Sequence, residues 1–113
     1  EGKGLGDHFL KHIERTRLIV HLVDCSPEAL QPPAKAYAAI RKELESYSAV
    51  LGAKPEIVVA TKMDATGAEE GAKALKKKLK LKSLLQISAV TGAGLKALVQ
   101  ELFRTLHSPD GIN

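Results

Sequence analysis

The sequence predicts an α/β protein with a parallel sheet of about three strands and flanking helices. Short apolar runs at 18–23, 57–60 and 84–87 are rich in Val, Ile and Leu with little polar alternation, the pattern of strands buried on both faces. Helical periodicities separate these runs, and strand–helix alternation marks parallel strands joined by right-handed crossovers. The core must be aliphatic, because the 113 residues are 44% hydrophobic yet hold only two Phe, two Tyr and no Trp. Each large aliphatic side chain that is buried contributes roughly 1.5 to 3 kcal/mol.

Ahead of the first strand, Leu5, Phe9, Leu10 and Ile13 mark a helical turn or two. Between the first two strands, Tyr37, Ile40, Leu44, Tyr47 and Leu51 recur at steps of three or four. That spacing predicts one amphipathic helix of about four or five turns, stopped by Gly52 and Pro55. A shorter helix runs from about Gly67 to Leu79. The last spans Leu95 to Leu106, where Leu95, Leu98, Val99, Leu102, Phe103 and Leu106 form one apolar stripe. Residues 107–113 read as a polar tail or linker, and the length fits a single domain.

The longest apolar stretches are about five or six residues, against about 20 for a membrane span. No signal-peptide pattern is present, so the chain reads as soluble and cytoplasmic. Cys25, the single cysteine, excludes an internal disulfide and agrees with a reducing compartment.

In parallel sheets ligands sit beyond the carboxyl ends of the strands. There the sequence places Asp24, the residues Thr61 to Asp64, and the residues Ser88 to Val90, three loops on one edge. The strand-borne V-V-A-T-K-M-D at 58–64 and the I-S-A at 87–89 have the form of a two-part guanine reader. An ionised Asp64 offers two acceptors side by side, matching guanine N1–H and its N2 amino group. Adenine carries an acceptor at N1 and would lose both contacts. Two charge-assisted bonds of about 1.5 to 3 kcal/mol each give roughly a hundredfold to ten-thousandfold preference. The methylene stem of Lys62 can lie along the purine face while its ammonium reaches backbone carbonyls or the ring oxygen. The Ala89 N–H would donate to guanine O6, with Ser88 shaping the turn. Gly92 and Gly94 let the chain enter the last helix, and Thr91 supplies a local capping hydroxyl. No G-x-x-x-x-G-K-[ST] phosphate loop occurs in the 113 residues, so this chain offers no cradle for phosphates.

Taken together, G-K-G-L-G-D-H-F-L-K-H-I-E-R-T at 2–16, E-I-V-V-A-T-K-M-D at 56–64 and Q-I-S-A-V-T-G-A-G-L at 86–95 resemble the second half of the GTPase domain of the Obg family. The resemblance covers residues 1–106. It implies a three-layer P-loop NTPase fold of the Ras-like GTPase type, incomplete here. It also implies that Thr61, Lys62 and Asp64 occupy the N-K-x-D positions, and Ser88, Ala89 and Val90 the S-A-x positions. Thr61 departs from the usual Asn; a hydroxyl has one donor and a shorter reach than an amide, so weaker bracing with retained specificity is expected. GTP or GDP is the implied ligand, with Mg2+ in the intact parent and its ligands outside this chain. The large ribosomal subunit and its RNA are the implied partners. By the same resemblance the phosphate loop and both switches lie upstream of Glu1, and without them the piece alone is expected to be inactive. It is also expected to bind nucleotide at millimolar concentration or worse, and to self-associate or pair with the missing half.

Other features have plainer readings. His8 and His12 have a usable metal spacing on a helix but no third ligand, and His21, mid-strand, reads as packed or at a strand edge, not catalytic. Six of the ten residues at 73–82 are lysine. They alternate with leucines and suit a solvated helix face. The alternative function class is a non-enzymatic module that binds RNA or protein through this Lys-rich helix; membrane attachment ranks below it, since no interfacial Trp is present.

Overall fold

β-branched and aliphatic residues at the three apolar runs do form strands, and the intervening periodic segments form helices. The computed structural model describes residues 5–107. The order is α1 (Asp7–Glu14), β1 (Ile19–Asp24), α2 (Pro33–Tyr47), α3 (Ala49–Ala53), β2 (Glu56–Thr61), α4 (Ala68–Leu79), β3 (Leu85–Gln86) and α5 (Leu95–Leu106). The strands make one parallel sheet in the order β1-β2-β3. Ile19 lies opposite Glu56 and Asp24 opposite Thr61. The two strands therefore end flush and deliver Asp24 and the loop after Thr61 to one edge.

Side chains alternate across the pleat. His21 and Val23 are buried, whereas Leu22 between them is 57% exposed. On the buried side, α2 and α4 cover the sheet through Val23, Cys25, Ala60, Ala68, Ala72 and Leu75, with Ala34 and Tyr37 packed against them. The α4 backbone comes close enough that a Cβ at Gly71 would stand 2.6 Å from the Cys25 carbonyl oxygen. A second cluster of Leu10, Leu44 and Leu51 ties α1, α2 and α3 together. Helix α5 lies by the opposite face, where Glu101 and Arg104 share a hollow with Ile57 and Leu85. This gives helix, sheet and helix layers, the α/β architecture expected of a partial Ras-like GTPase fold.

The single long helix expected between β1 and β2 is instead two. Ser48 is extended (φ −166°, ψ 157°), and its hydroxyl accepts from the Leu51 N–H at 3.1 Å while donating to Glu14 at 2.7 Å. A capping serine that satisfies an orphan helix donor opens a new helix, and the redirected chain places Leu51 fully inside the second cluster. Strand limits also move by one or two residues: Asp24 is the last residue of β1, and β3 shrinks to Leu85–Gln86. The glycines at 2 and 4 of the opening stretch and the tail from 108 onward lie outside the described residues.

Helix α4 ends with Lys80 in the left-handed region at φ 57°. The N–H of Leu81 donates to the Lys76 carbonyl and that of Lys80 to the Lys77 carbonyl, a pairing that satisfies the last turn and favours glycine at the left-handed position.

Far from the loop edge, Glu56 gathers a buried polar network. Its carboxylate meets His21 Nδ1 at 2.8 Å, accepts from the Tyr37 hydroxyl at 2.9 Å and lies 3.6 Å from Arg41. The His21 and Tyr37 rings stack at 4.6 Å, which places His21 in the core as a packed residue. Burial pushes the Glu56 carboxyl upward, but the bonds from His21 and Tyr37 and the charge of Arg41 outweigh it and hold the group below its usual range. Burial and the bond to Glu56 push the Tyr37 phenol up to about 12.

Candidate functional site

The loops after β1, β2 and β3 meet in one hollow. A cavity of about 470 Å³ is bounded by Leu22, Ser26, Thr61, Lys62, Asp64 and Ala89, with Ala65, Ile87, Val90 and Glu28 completing its wall. That volume lies within the range of small-ligand sites. Backbone bonds fix the three loops to each other: Ile87 N–H donates to Ala60, Met63 N–H to Ile87, and Cys25 N–H to Thr61.

Asp64 is held from behind by Ser88. The Ser88 hydroxyl, in a side chain 1% exposed, donates to Asp64 Oδ1 at 2.7 Å and accepts from the Thr91 N–H at 3.1 Å. The carboxylate itself is exposed at the cavity, and each of its oxygens keeps acceptor capacity, since two oxygens offer about four lone-pair sites. On the other side, Ala89 and Val90 form an exposed rim. Among the described residues the Ala89 N–H donates no hydrogen bond. Its Ser88 neighbour does, to Ala93 at 3.0 Å, and the Gly92 N–H closes the turn on Ser88 at 2.8 Å.

Glycine is required where this turn becomes α5. Gly94 has φ 78°, and a Cβ there would lie 2.0 Å from the Gln86 carbonyl oxygen. Gly92 also has a positive φ but faces open space. Thr91 accepts from the Ala93 N–H at 3.1 Å, so its hydroxyl caps the turn; α5 has no side-chain cap of its own.

Two residues of the T-K-M-D loop engage groups at the end of β1. Thr61 lines the cavity, but its hydroxyl donates to the Val23 carbonyl at 3.3 Å, bracing the end of β1. Lys62 takes a left-handed conformation at φ 61° and sets its ammonium 3.0 Å from Asp24 Oδ2. Asp24 Oδ1 accepts from both the N–H and the hydroxyl of Ser26, at 2.9 and 2.8 Å. Burial raises the Asp24 carboxyl, and the two Ser26 bonds with the Lys62 ammonium more than offset that, leaving it below its usual range. The neighbouring Cys25 thiol is pushed up to about 11 by burial and by the Asp24 charge, which leaves it an unreactive core side chain.

No family model matches the chain. Over 109 residues, 96% of its length, it is 49% identical to a GTPase Obg of Desulfatibacillum aliphaticivorans. It is 50% identical over the same share to a GTPase Obg of Bacillus licheniformis. A third match, to a GTPase Obg of Ruminiclostridium cellulolyticum, reaches 44% over 99% of the chain.

The chain belongs to the Obg family.

It spans 32%, 26% and 27% of those three relatives' own lengths, about a third or less. In this Obg-family chain the six candidate residues Thr61, Lys62, Asp64, Ser88, Ala89 and Val90 come together at one edge, with Ser88 behind the carboxylate and the other five on the cavity wall. Asp24 joins them as the partner of Lys62. Its position at the carboxyl end of β1 was legible; the pairing was not, because it depends on the register that sets Asp24 opposite Thr61.

The donor set fits a planar base that presents adjacent N–H groups beside a carbonyl oxygen, since acceptors stand at Asp64 and a free N–H at Ala89. Among the described residues there is no group of three or more His, Cys, Asp or Glu that could hold a metal ion. Among the same residues no helix is long and apolar enough to cross a membrane.

Proposed function

We propose that this chain is the guanine-recognising half of a GTP-binding, GTP-hydrolysing switch protein that acts in large ribosomal subunit assembly. The supporting observation is that Asp64, Ala89 and Lys62 line one cavity. In this reading the carboxylate accepts from guanine N1–H and N2, the Ala89 N–H donates to O6, and the Lys62 stem covers one ring face. Leu22, 57% exposed at the same cavity, gives the base an apolar surface.

Hydrolysis belongs to a longer chain. Phosphoryl transfer relies on positive groups and metal placed around the transferred phosphate, and bound magnesium would supply charge neutralisation there. The residues in this chain contribute base selection. Their Lys62–Asp24 pair presents a preset ammonium at the rim, so less side-chain entropy is lost when the base enters. The ribosomal assignment rests on the family resemblance.

A competition titration of the Obg-family protein that carries both this stretch and a phosphate loop tests the reading. A fluorescent guanine nucleotide should be displaced by GDP and not by ADP at roughly a hundredfold higher concentration. Equal displacement by both would overturn it.

A further inference from the structure

Lys62 and Asp64 are separated by a single residue and line the same cavity, which sets a problem for a carboxylate that reads a base. A lysine ammonium carries three donors on a flexible four-carbon stem, and a neighbouring carboxylate is its natural counter-ion. Were that carboxylate Asp64, the ammonium would occupy acceptors that guanine N1–H and N2 need. The ammonium goes elsewhere. Lys62 turns through the left-handed region at φ 61° and sets Nζ 3.0 Å from Asp24 Oδ2. None of the ion pairs among the described residues joins it to Asp64. Asp24 is not part of the cavity lining, so its influence on a bound base runs through Lys62.

The Asp24 carboxylate is a fixed point. Its Oδ1 accepts from the N–H and the hydroxyl of Ser26, a residue only 6% exposed, which leaves Oδ2 for the ammonium. The turn that carries it is pressed against α4 on both sides of Ser26. A Cβ at Gly71 would meet the Cys25 carbonyl oxygen at 2.6 Å, and one at Gly67 would meet the Pro27 ring at 2.8 Å. Parallel register sets Asp24 opposite Thr61, the residue just before Lys62. We infer that Asp24 is a positioning residue for guanine selection, the counter-ion that keeps the Lys62 ammonium off Asp64 so that the Asp64 oxygens keep lone pairs for the base. This role rests on the guanine reading and adds to it the residue that protects the reading carboxylate.

The test is a double-mutant cycle read by competition titration of a fluorescent guanine nucleotide, in the Obg-family protein that carries both this stretch and a phosphate loop. Asp24→Asn keeps an acceptor for Ser26 and removes the charge. Lys62→Met keeps an apolar stem over the purine and removes the ammonium. Asp24→Asn alone should lower GDP affinity roughly twofold to fivefold at low salt, the range of a partly exposed ion pair, and the loss should shrink as salt screens the charges. In the Lys62→Met background the same change should cost no further affinity. Asp24→Glu, which restores the charge but not the shape, should bind GDP better than Asp24→Asn. A merely structural Asp24 gives the reverse order and equal losses in both backgrounds. Either of those results would overturn the inference, as would wild-type GDP affinity in Asp24→Asn. Circular dichroism confirms the fold of each variant; should Asp24→Asn unfold, Asp24→Ser, a smaller acceptor, takes its place in the cycle. Displacement of the probe by ADP as readily as by GDP in the wild type would fail the guanine reading itself. A retained GDP preference with additive losses would leave that reading standing and remove only the role of Asp24.

Discussion

Ser88 is the residue on which the site geometry turns. It is fully buried, yet its hydroxyl joins two elements, donating to Asp64 and accepting from the Thr91 N–H. Ser88→Ala would remove both bonds and free the carboxylate to rotate. A hydrogen bond contributes about 0.5 to 1.5 kcal/mol net, and one to a charged group about 1.5 to 3 kcal/mol, so chemical denaturation should show a stability loss of about 1 to 3 kcal/mol. Guanine affinity should fall roughly fivefold to thirtyfold in the protein that carries a phosphate loop. An unchanged denaturation midpoint would mean that the hydroxyl holds nothing. The sequence showed a serine in a turn; it could not show that the hydroxyl reaches back to the previous loop, since that requires the Met63–Ile87 and Ile87–Ala60 backbone bonds.

Glu56 sets a second expectation at the same scale. Its carboxyl is held below the ordinary glutamate value of 4.5. A depressed folded-state value contributes stability that is complete above the unfolded value and is lost as pH falls through the folded one. Melting temperature should therefore drop as pH falls below about 4.5, and Glu56→Gln should be less stable at neutral pH with a shallower acid limb. A Glu56→Gln protein with the wild-type acid limb would assign that limb elsewhere, Asp24 being the next depressed carboxyl.

At the scale of elements, the strand and helix pattern was legible because period and composition agreed: three short aliphatic runs and the stripe of α5 fell where expected. The break at Ser48 was not, because the apolar period continues through Leu51 and a serine is compatible with a helix interior. Only the contact with Glu14, 34 residues earlier, selects the capped alternative. The entry to α5 was legible through its two glycines, but their unequal roles were not. Gly94 faces the Gln86 carbonyl and Gly92 faces solvent. Gly94→Ala should thus cost on the order of 3 kcal/mol from clash plus backbone strain, and Gly92→Ala about 1 kcal/mol from strain alone. Urea midpoints of the two variants check this, and equal losses would contradict the close approach of α5 to β3.

At the scale of the molecule, several large apolar side chains face outward. Phe9, Leu22, Val99 and Phe103 are each at least half exposed, and no residue of α5 is buried although its stripe is strongly apolar. Among the described residues strand β1 pairs only with β2, so its other edge presents unpaired backbone groups, a template for association. The 113 residues by themselves should self-associate with increasing concentration in sedimentation velocity, and V99E/F103E should reduce it. A monodisperse monomer throughout would contradict the expectation. Composition and the α5 stripe made an amphipathic last helix legible, whereas the exposure of that stripe depends on which partners the sheet offers and is seen only in three dimensions.

The measurement closest to the centre of this account is the base preference of Asp64→Asn in the Obg-family protein that carries both this stretch and a phosphate loop. Asparagine replaces one acceptor by a donor, so xanthine, with oxygen at C2 in place of the amine, should displace the bound probe in preference to guanine, reversing a wild-type bias of roughly a hundredfold or more. A variant that still prefers guanine would show that the carboxylate at 64 does not read the base.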